Sequence, residues 1–302
     1  MIDCVLIVVS YRSARDVSEL LGTVPAAAGD LSWHAIVVNN DPADDLEPVR
    51  ARHPQVSIIE TGANLGYAGG INRALASAPV SRWTIFLNPD LRLRPRSLET
   101  MAAQSDEHTA VVPKIVDENG AIQLSLRREP TILASFGDAV FGNHWPSRPA
   151  RLGEMVRGSR AYAEAGVVDW ATGAVLLVPT ALIAVVGDWD ARRFFLYSEE
   201  TDYSRRLRAA GAKVRYVPGA VVSHRGGGSG TSDALHALLE VNRVRYFRKW
   251  HGPLASAAFA AVVVLNNLLR CHRSRSRAAL RALLFPSARA ALPGGEREGA
   301  PA

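Results

Sequence analysis

The chain has 302 residues, 48% of them hydrophobic and 21% charged, with a formal net charge of +6. That apolar content fills a packed core and excludes a disordered or fibrous chain, while only two cysteines, Cys4 and Cys271, exclude a disulfide framework and point to a reducing compartment. The charge is segregated: 18 basic and 25 acidic residues precede Ser204, a net −7, and 17 basic and 4 acidic residues make up the rest, a net +13.

The first apolar run, CVLIVV, has no basic lead and no cleavage pattern after it. It reads as a buried strand over 5–10 rather than a signal peptide. Residues 14–21 carry helical spacing, 33–40 (WHAIVVNN) form a second strand closed by a polar DPADD turn, and 56–60 form a third. NLGYAGG at 64–70 reads as a glycine-rich loop feeding a helix over 71–78, and WTIFLN at 83–88 is a fourth strand, ended by Pro89. Near-continuous apolar strands alternating with helices predict an α/β fold with a parallel sheet covered on both faces. Ligands of such sheets bind at the carboxyl ends of the strands, which here read SYRS, NNDPADD and NPD.

Residues 117–165 scatter Pro, Gly and Arg and are expected to form a loop-rich insertion. An apolar segment at 167–179 carries Asp169, Trp170 and Gly173, and a helix over 199–210 is closed by Gly211. Two short extended runs, 213–217 and 220–223, lead to His224 and a GGGSG loop. Beyond Ser232 the pattern is helical and basic to Leu284.

The first strand-to-helix turn, SYRSARD, has no glycine and the chain has no GxxxxGK[ST], which argues against a dinucleotide-dependent oxidoreductase and a P-loop NTPase. The same turn lacks the glycine-rich basic lead of a nucleotidyltransferase. Several groups could carry chemistry. In LNPD (87–90) an apolar strand drives Asp90 to the mouth of the sheet, where a carboxylate suits Mg²⁺ or Mn²⁺ shared with substrate phosphates; the plain alternative is an Asn-Pro-Asp turn. Glu199, Glu200 and Asp202 crowd a helix start behind the aromatic run RFFLY; they suit either the helix dipole or a general base in a dry wall. His224 is a packed strand-end histidine or, given its glycine-rich sequel, part of an anion site. Ser10-Tyr11 and the 39–41 segment could hold a nucleoside. The stretch 253–269 is apolar except for Ser256, Asn266 and Asn267, and Arg270, Arg273, Arg275, Arg277 and Arg281 follow. It is short for a membrane span and reads either as an interfacial helix on anionic lipid or as a packed helix with a solvated basic end.

In order and spacing over about residues 4–250, VVSYRS, IVVNNDPADD, ANLGYAGGINRAL, IFLNPDLRL, LRREPT, VDWATGAVLLVP and RFFLYSEETDYSRRLRAAGAKVRYVPGAVVSHRGGGS resemble a family 2 glycosyltransferase of the GT-A fold, in its bacterial rhamnosyltransferase-like branch. The resemblance implies that Asp90, as the second acid of a DxD-type motif, and His224 hold Mg²⁺ or Mn²⁺. It implies that Ser10, Tyr11, Arg12, Asn40 and Asp41 face the nucleoside, with Asn64, Gly66, Gly70, Asn72 and Asn88 completing the donor site. Asp169 and Trp170 are expected near the sugar or acceptor. Glu200 is expected to be the general base of an inverting transfer, with Glu199 and Asp202 as alternatives. Three positions depart from the family pattern: Glu200 stands in place of the usual aspartate, Asn39 where many relatives have aspartate, and Pro179-Thr180 where relatives often carry arginines.

The resulting expectation is metal-dependent transfer of a sugar, rhamnose in the first instance, from a dTDP- or UDP-linked donor to a glycan or polyprenyl-diphosphate-linked hydroxyl. The alternatives are galactofuranosyl or other hexosyl transfer, or a non-catalytic lipid- or nucleic-acid-binding protein working through the tail. The expected organisation is a nucleotide-sugar half (1–115), an acceptor and catalytic half (116–232) and a helical basic extension (233–302). An anionic membrane is the expected partner of that extension rather than nucleic acid, placing the protein on the inner face of the plasma membrane.

Overall fold

The structure is a computed structural model that describes residues 2–225 and 232–295. It begins with β1 (Ile2–Ser10), α1 (Ala14–Ala28), β2 (Trp33–Asn39), α2 (Glu47–Arg52), β3 (Ser57–Glu60), α3 (Gly66–Leu75) and β4 (Ser81–Leu87). Then come β5 (Leu91–Leu93), α4 (Ser97–Ala103), β6 (Thr109–Val116), β7 (Leu126–Arg127), α5 (Ile132–Phe141), α6 (Ser159–Ala163), β8 (Gly166–Val168), β9 (Trp170–Ala171) and β10 (Val175–Pro179). The chain continues through α7 (Thr180–Val186), α8 (Glu199–Ala209), β11 (Lys213–His224), α9 (Asp233–Trp250), α10 (Pro253–Leu268), α11 (Ser274–Leu284) and α12 (Pro286–Ala290).

The main sheet runs β3-β2-β1-β4-β10-β6-β11-β5, with β8 added on β11. The first four strands are parallel, as are β6 and β11, whereas β10 and β5 run antiparallel to their neighbours. The sheet is therefore mostly parallel, and it spans both expected halves without a break. Alternation along β1 explains the two cores: Cys4, Leu6 and Val8 pack with the buried stripe of α1 (Val17, Leu20, Leu21, Val24), while Val5, Ile7 and Val9 pack with α3 on the other face.

Three expectations change. The 64–70 stretch is not a loop: α3 already begins at Gly66. Its glycines serve contact rather than a phosphate, since a Cβ on Gly70 would meet Val9 Cγ1 at 2.8 Å and one on Gly66 would collide with the Phe195 carbonyl. The 117–165 segment is not loop-rich throughout, because it contains β7, α5 and α6. The two runs before His224 are one strand, β11, with a register shift between Val217 and Val221.

Candidate active site

The parallel register brings Ser10, Asn39 and Leu87 to one edge of the sheet. The reversed strand β10 starts opposite Leu87, so residues 170–174 enter at that same edge, and Asn88 N–H donates to the Ala174 carbonyl at 2.9 Å. Asp90 follows at the turn into β5, and the pairing of His224 with Leu91 on β5 carries the end of β11 alongside it. Strands from both ends of the sequence thus converge on one mouth.

Asp90 is buried, with Oδ1 at 3.2 Å from His224 Nε2. Gln123 fixes that ring: its Nε2 donates to the His224 carbonyl at 2.6 Å and its Oε1 lies 3.2 Å from His224 Nδ1. An amide oxygen only accepts, so Nδ1 carries a hydrogen toward Gln123 and Nε2 is the ring atom that faces Asp90. Burial works against ionisation of Asp90, but the hydrogen bond and charge of His224 hold its carboxyl below the usual carboxylate range. Among the described residues no three His, Cys, Asp or Glu converge as a metal cluster. Two donors about 3 Å apart fit adjacent positions on a small divalent cation whose remaining sites are filled by phosphate oxygens and water. The GGGSG loop after Arg225 lies outside the described residues.

Facing this pair, Tyr67 on α3 is half-buried, and loss of solvent with the nearby carboxylates of Glu199, Glu200 and Asp90 raises its phenol above the ordinary value. Its hydroxyl reaches the Gly173 carbonyl at 3.5 Å. Glu199 and Glu200 open α8 directly after two residues with left-handed backbone, Tyr197 (φ 72°) and Ser198 (φ 69°). Such conformations persist only where the surroundings enforce them. Each glutamate has a buried Oε2 without a hydrogen-bond partner in the described structure. Burial raises the Glu199 carboxyl well above its usual value, and the charge of Glu200 adds to the rise. Burial likewise raises Glu200, opposed by backbone N–H groups of Glu200 and Gly173 and by Arg127. Glu200 also packs on Gly173, where a Cβ would come within 3.3 Å of it.

Asp202 is not part of this corner. It is fully buried and takes Arg206 Nε at 3.0 Å, Lys249 Nζ at 2.9 Å and Trp250 Nε1 at 3.0 Å, so it is a structural anion joining α8 to α9 rather than an alternative base. The donor-side residues divide in the same way. Arg12 Nε holds Asp41 at 2.6 Å beside a cavity of about 300 Å³ that includes Ala43, Asp44 and Glu60, and Tyr11 is exposed. The Arg12 bond and the Ala43 N–H keep the Asp41 carboxyl below its usual range. Ser10 Oγ is occupied by Ser13 Oγ at 2.9 Å.

Four others of that set act in the scaffold. Asn40 Nδ2 donates to the Gly66 carbonyl at 2.8 Å, and Asn64 Oδ1 accepts from Gly66 N–H at 2.9 Å. Asn72 clamps the Trp189 backbone through both amide atoms, at 2.8 and 2.9 Å. Gly70 is the close-packing glycine described above. On the acceptor side, Asp169 borders a cavity of about 580 Å³ also lined by Arg127, Arg128 and Tyr216, while the Trp170 indole is turned to the Arg128 carbonyl at 3.0 Å. Sequence reasoning passed over Tyr67, Gln123 and Arg127. Tyr67 and Arg127 stand inside motifs already noted, ANLGYAGGINRAL and LRREPT, whereas Gln123 lies in a stretch without visible periodicity.

A mostly parallel sheet with a carboxylate and an imidazole at its mouth is the architecture of GT-A glycosyltransferases, and solved structures of that class share the fold. The chain superposes on GalNAc-T7 with UDP, GalNAc and Mn²⁺ at a TM-score of 0.58 and 14% identity, covering 99% of this chain and 53% of that longer one. It superposes on the mannosyltransferase PcManGT from Pyrobaculum calidifontis, in complex with GDP-Man and Mn²⁺, at a TM-score of 0.56 and 16% identity, covering 97% of this chain and 79% of that one.

The chain belongs to glycosyl transferase family 2, whose sequence profile matches residues 5–157. It is 31% identical over 251 residues to the N-acetylglucosaminyl-diphospho-decaprenol L-rhamnosyltransferase of Mycobacterium tuberculosis, an alignment covering 75% of this chain and 80% of the relative.

Proposed function

We propose that this glycosyltransferase moves L-rhamnose from a dTDP- or UDP-linked donor to a hydroxyl of a polyprenyl-diphosphate-linked glycan, by a single inverting displacement. The observation that carries the reading is the buried corner in which Glu199 and Glu200 face Asp90 and His224 across Tyr67. The sugar and acceptor are taken from the likeness to the mycobacterial rhamnosyltransferase.

The donor's nucleoside would lie beside Asp41 and Arg12, with its diphosphate directed to Asp90 and His224. These two residues would hold Mg²⁺ or Mn²⁺, as the Mn²⁺ in the structural relatives suggests; that cation neutralises charge developing on the departing diphosphate. Glu200 accepts the proton of the acceptor hydroxyl as its oxygen bonds to the anomeric carbon, and the bond from that carbon to the diphosphate oxygen breaks on the opposite face. Burial raises the basicity of Glu200, and its own backbone N–H, Arg127 and the Gly173 N–H oppose the rise. Burial and the charge of Glu200 in turn hold the Glu199 carboxyl well above its usual value, which favours the protonated form of Glu199 beside it. The larger cavity, which runs from Arg127 to Asp169, is the space proposed for the acceptor.

Two measurements test this. A thermal-shift panel of dTDP, UDP and GDP, each with and without Mn²⁺, should show one nucleotide stabilising the protein only with the cation, by about 2.7 kcal/mol at a hundred times its Kd. No shift with any nucleotide overturns the reading. In transfer assays Glu200→Gln should lower kcat by about 10²–10⁴-fold and Asp90→Ala should abolish the Mn²⁺-dependent shift; wild-type rates in both would remove these residues from the mechanism.

A further inference from the structure

Two packed helices, α5 and α10, carry apolar outer faces and bury polar groups: α10 turns Ser256 and Asn267 inward beside the core residues Phe259 and Val263. On α10 the polar residues point inward: Ser256 Oγ donates to the His251 carbonyl at 3.2 Å, and Asn267 Nδ2 donates to Glu240 Oε2 at 3.2 Å and to the Val263 carbonyl at 3.0 Å. Outward it shows Leu254, Ala258, Ala261 and Leu268, with Leu254 87% exposed. On α5 the buried Ser135 meets Arg243 and Asp138 pairs with Arg148, while Leu133, Phe136 and Val140 form an exposed stripe at helical spacing. Just beyond the helix, Trp145 is exposed and packs edge-on against Phe141. A helix lying on a water-soluble core presents polar residues outward, so two adjacent apolar outer faces mark a surface meant for something apolar.

Charge says what that is. Arg270 joins the ends of the two helices, donating to the Ala139 carbonyl on α5 at 2.9 Å and to Asn266 Oδ1 on α10 at 2.6 Å. Beyond it Arg273, Arg275, Arg277 and Arg281 are exposed, and residues 241–295 contain ten basic residues and no acidic one. A second copy of the chain on this face would bring like charge against like. Nucleic acid would meet the arginines through its phosphates but would leave the apolar side chains Leu133, Phe136, Leu254 and Leu268 without an apolar partner. No helix among the described residues is long and apolar enough to cross a membrane, so a helix pair of this kind would lie in the plane of the interface.

We propose that the α5–α10 face docks on an anionic lipid bilayer: Leu133, Phe136, Leu254 and Leu268 enter the boundary between headgroups and acyl chains, and the arginines after α10 meet lipid phosphates. The docking is independent of which sugar is transferred. The surface is composite, since half of it comes from α5 and not from the basic tail.

The test is co-sedimentation of the full chain with vesicles of phosphatidylcholine alone or mixed with phosphatidylglycerol. Binding to the mixed vesicles only is expected. The double variants Leu133→Glu with Phe136→Glu, and Leu254→Glu with Leu268→Glu, should each reduce partitioning about tenfold or more. Their Tm and their transfer to a water-soluble acceptor should stay at wild-type values, because all four side chains are exposed. Arg275→Glu with Arg281→Glu should remove the preference for the anionic lipid. Wild-type chain that ignores the mixed vesicles, or α5 variants that bind as wild type does, would overturn the proposal. So would a solution dimer that the Leu254/Leu268 variant dissociates without any vesicle binding. Failure of the nucleotide panel would leave this result untouched, so the two readings fail separately.

Discussion

Glu199 is buried and Glu200 half-buried beside it, and ionising both there opposes folding. Each carboxyl titrates higher in the folded chain than the ordinary glutamate value of 4.5. Between those values the native state binds more protons than the unfolded one, so stability falls as pH rises through the folded pKa. Glu199→Gln should therefore raise Tm by a few degrees at pH 8, a gain that disappears near pH 4, where both carboxyls are protonated in wild type; calorimetry across that range checks it. For the same reason the acid limb of kcat/KM should lie above pH 4.5, because burial holds the Glu200 carboxyl above its ordinary value. At Gly66 the left-handed backbone (φ 73°) and the adjacent Phe195 carbonyl leave no place for a Cβ. Gly66→Ala should cost about 2–3 kcal/mol in urea unfolding. Asp90, His224 and the glutamate pair were legible in the sequence because each stands at the end of an apolar run that must be buried. Tyr67 and Gln123 were not, since an aromatic in a helix and an amide in a loop have unremarkable local patterns until folding turns them toward the site.

At the scale of elements, the tie between α8 and α9 decides what Asp202 does. A carboxylate four residues before Arg206 looks like an ordinary helix pair; only the arrival of Lys249 and Trp250, 47 and 48 residues later, converts it into a buried network. Asp202→Asn should destabilise the protein by about 3 kcal/mol in chemical unfolding while kcat per folded molecule stays within about threefold of wild type. A collapse of kcat without loss of stability would return Asp202 to the chemistry. The α5 helix was invisible for a related reason: its large apolar residues face outward and its buried ones are the small Ala134, Ser135, Gly137 and Ala139, so its pattern contradicts the usual signal of burial. The fold of the first ninety residues was largely legible, as the strands are buried on both faces and read as unbroken apolar runs.

Across the whole molecule, the expected division into two halves and an appended tail meets a sheet and helices that are tightly joined. The α9 helix supports the catalytic corner: Asn242 donates to the Leu196 carbonyl at 2.9 Å, and Tyr246 bonds Glu129, which also takes Arg205 and Arg208. A chain ending at 285 should therefore melt cooperatively and turn over, whereas one ending at 232 should lose both, as far-UV melting curves and transfer assays would show. The −7 and +13 portions describe sequence segments, yet in space the basic helices reach into the acidic part through Arg243, Lys249 and Arg270.

The sequence by itself determined the fold class and the family likeness and singled out candidate side chains, because strand periodicity and the position of a carboxylate after a strand are local properties of the chain. The tertiary structure alone decided which of those side chains meet. The antiparallel entry of β10, the pairing of β11 with β5 and the docking of α9 on α8 are long-range contacts. They separate the buried base candidates from the structural Asp202, fix the His224 ring through Gln123, and lay α5 beside α10.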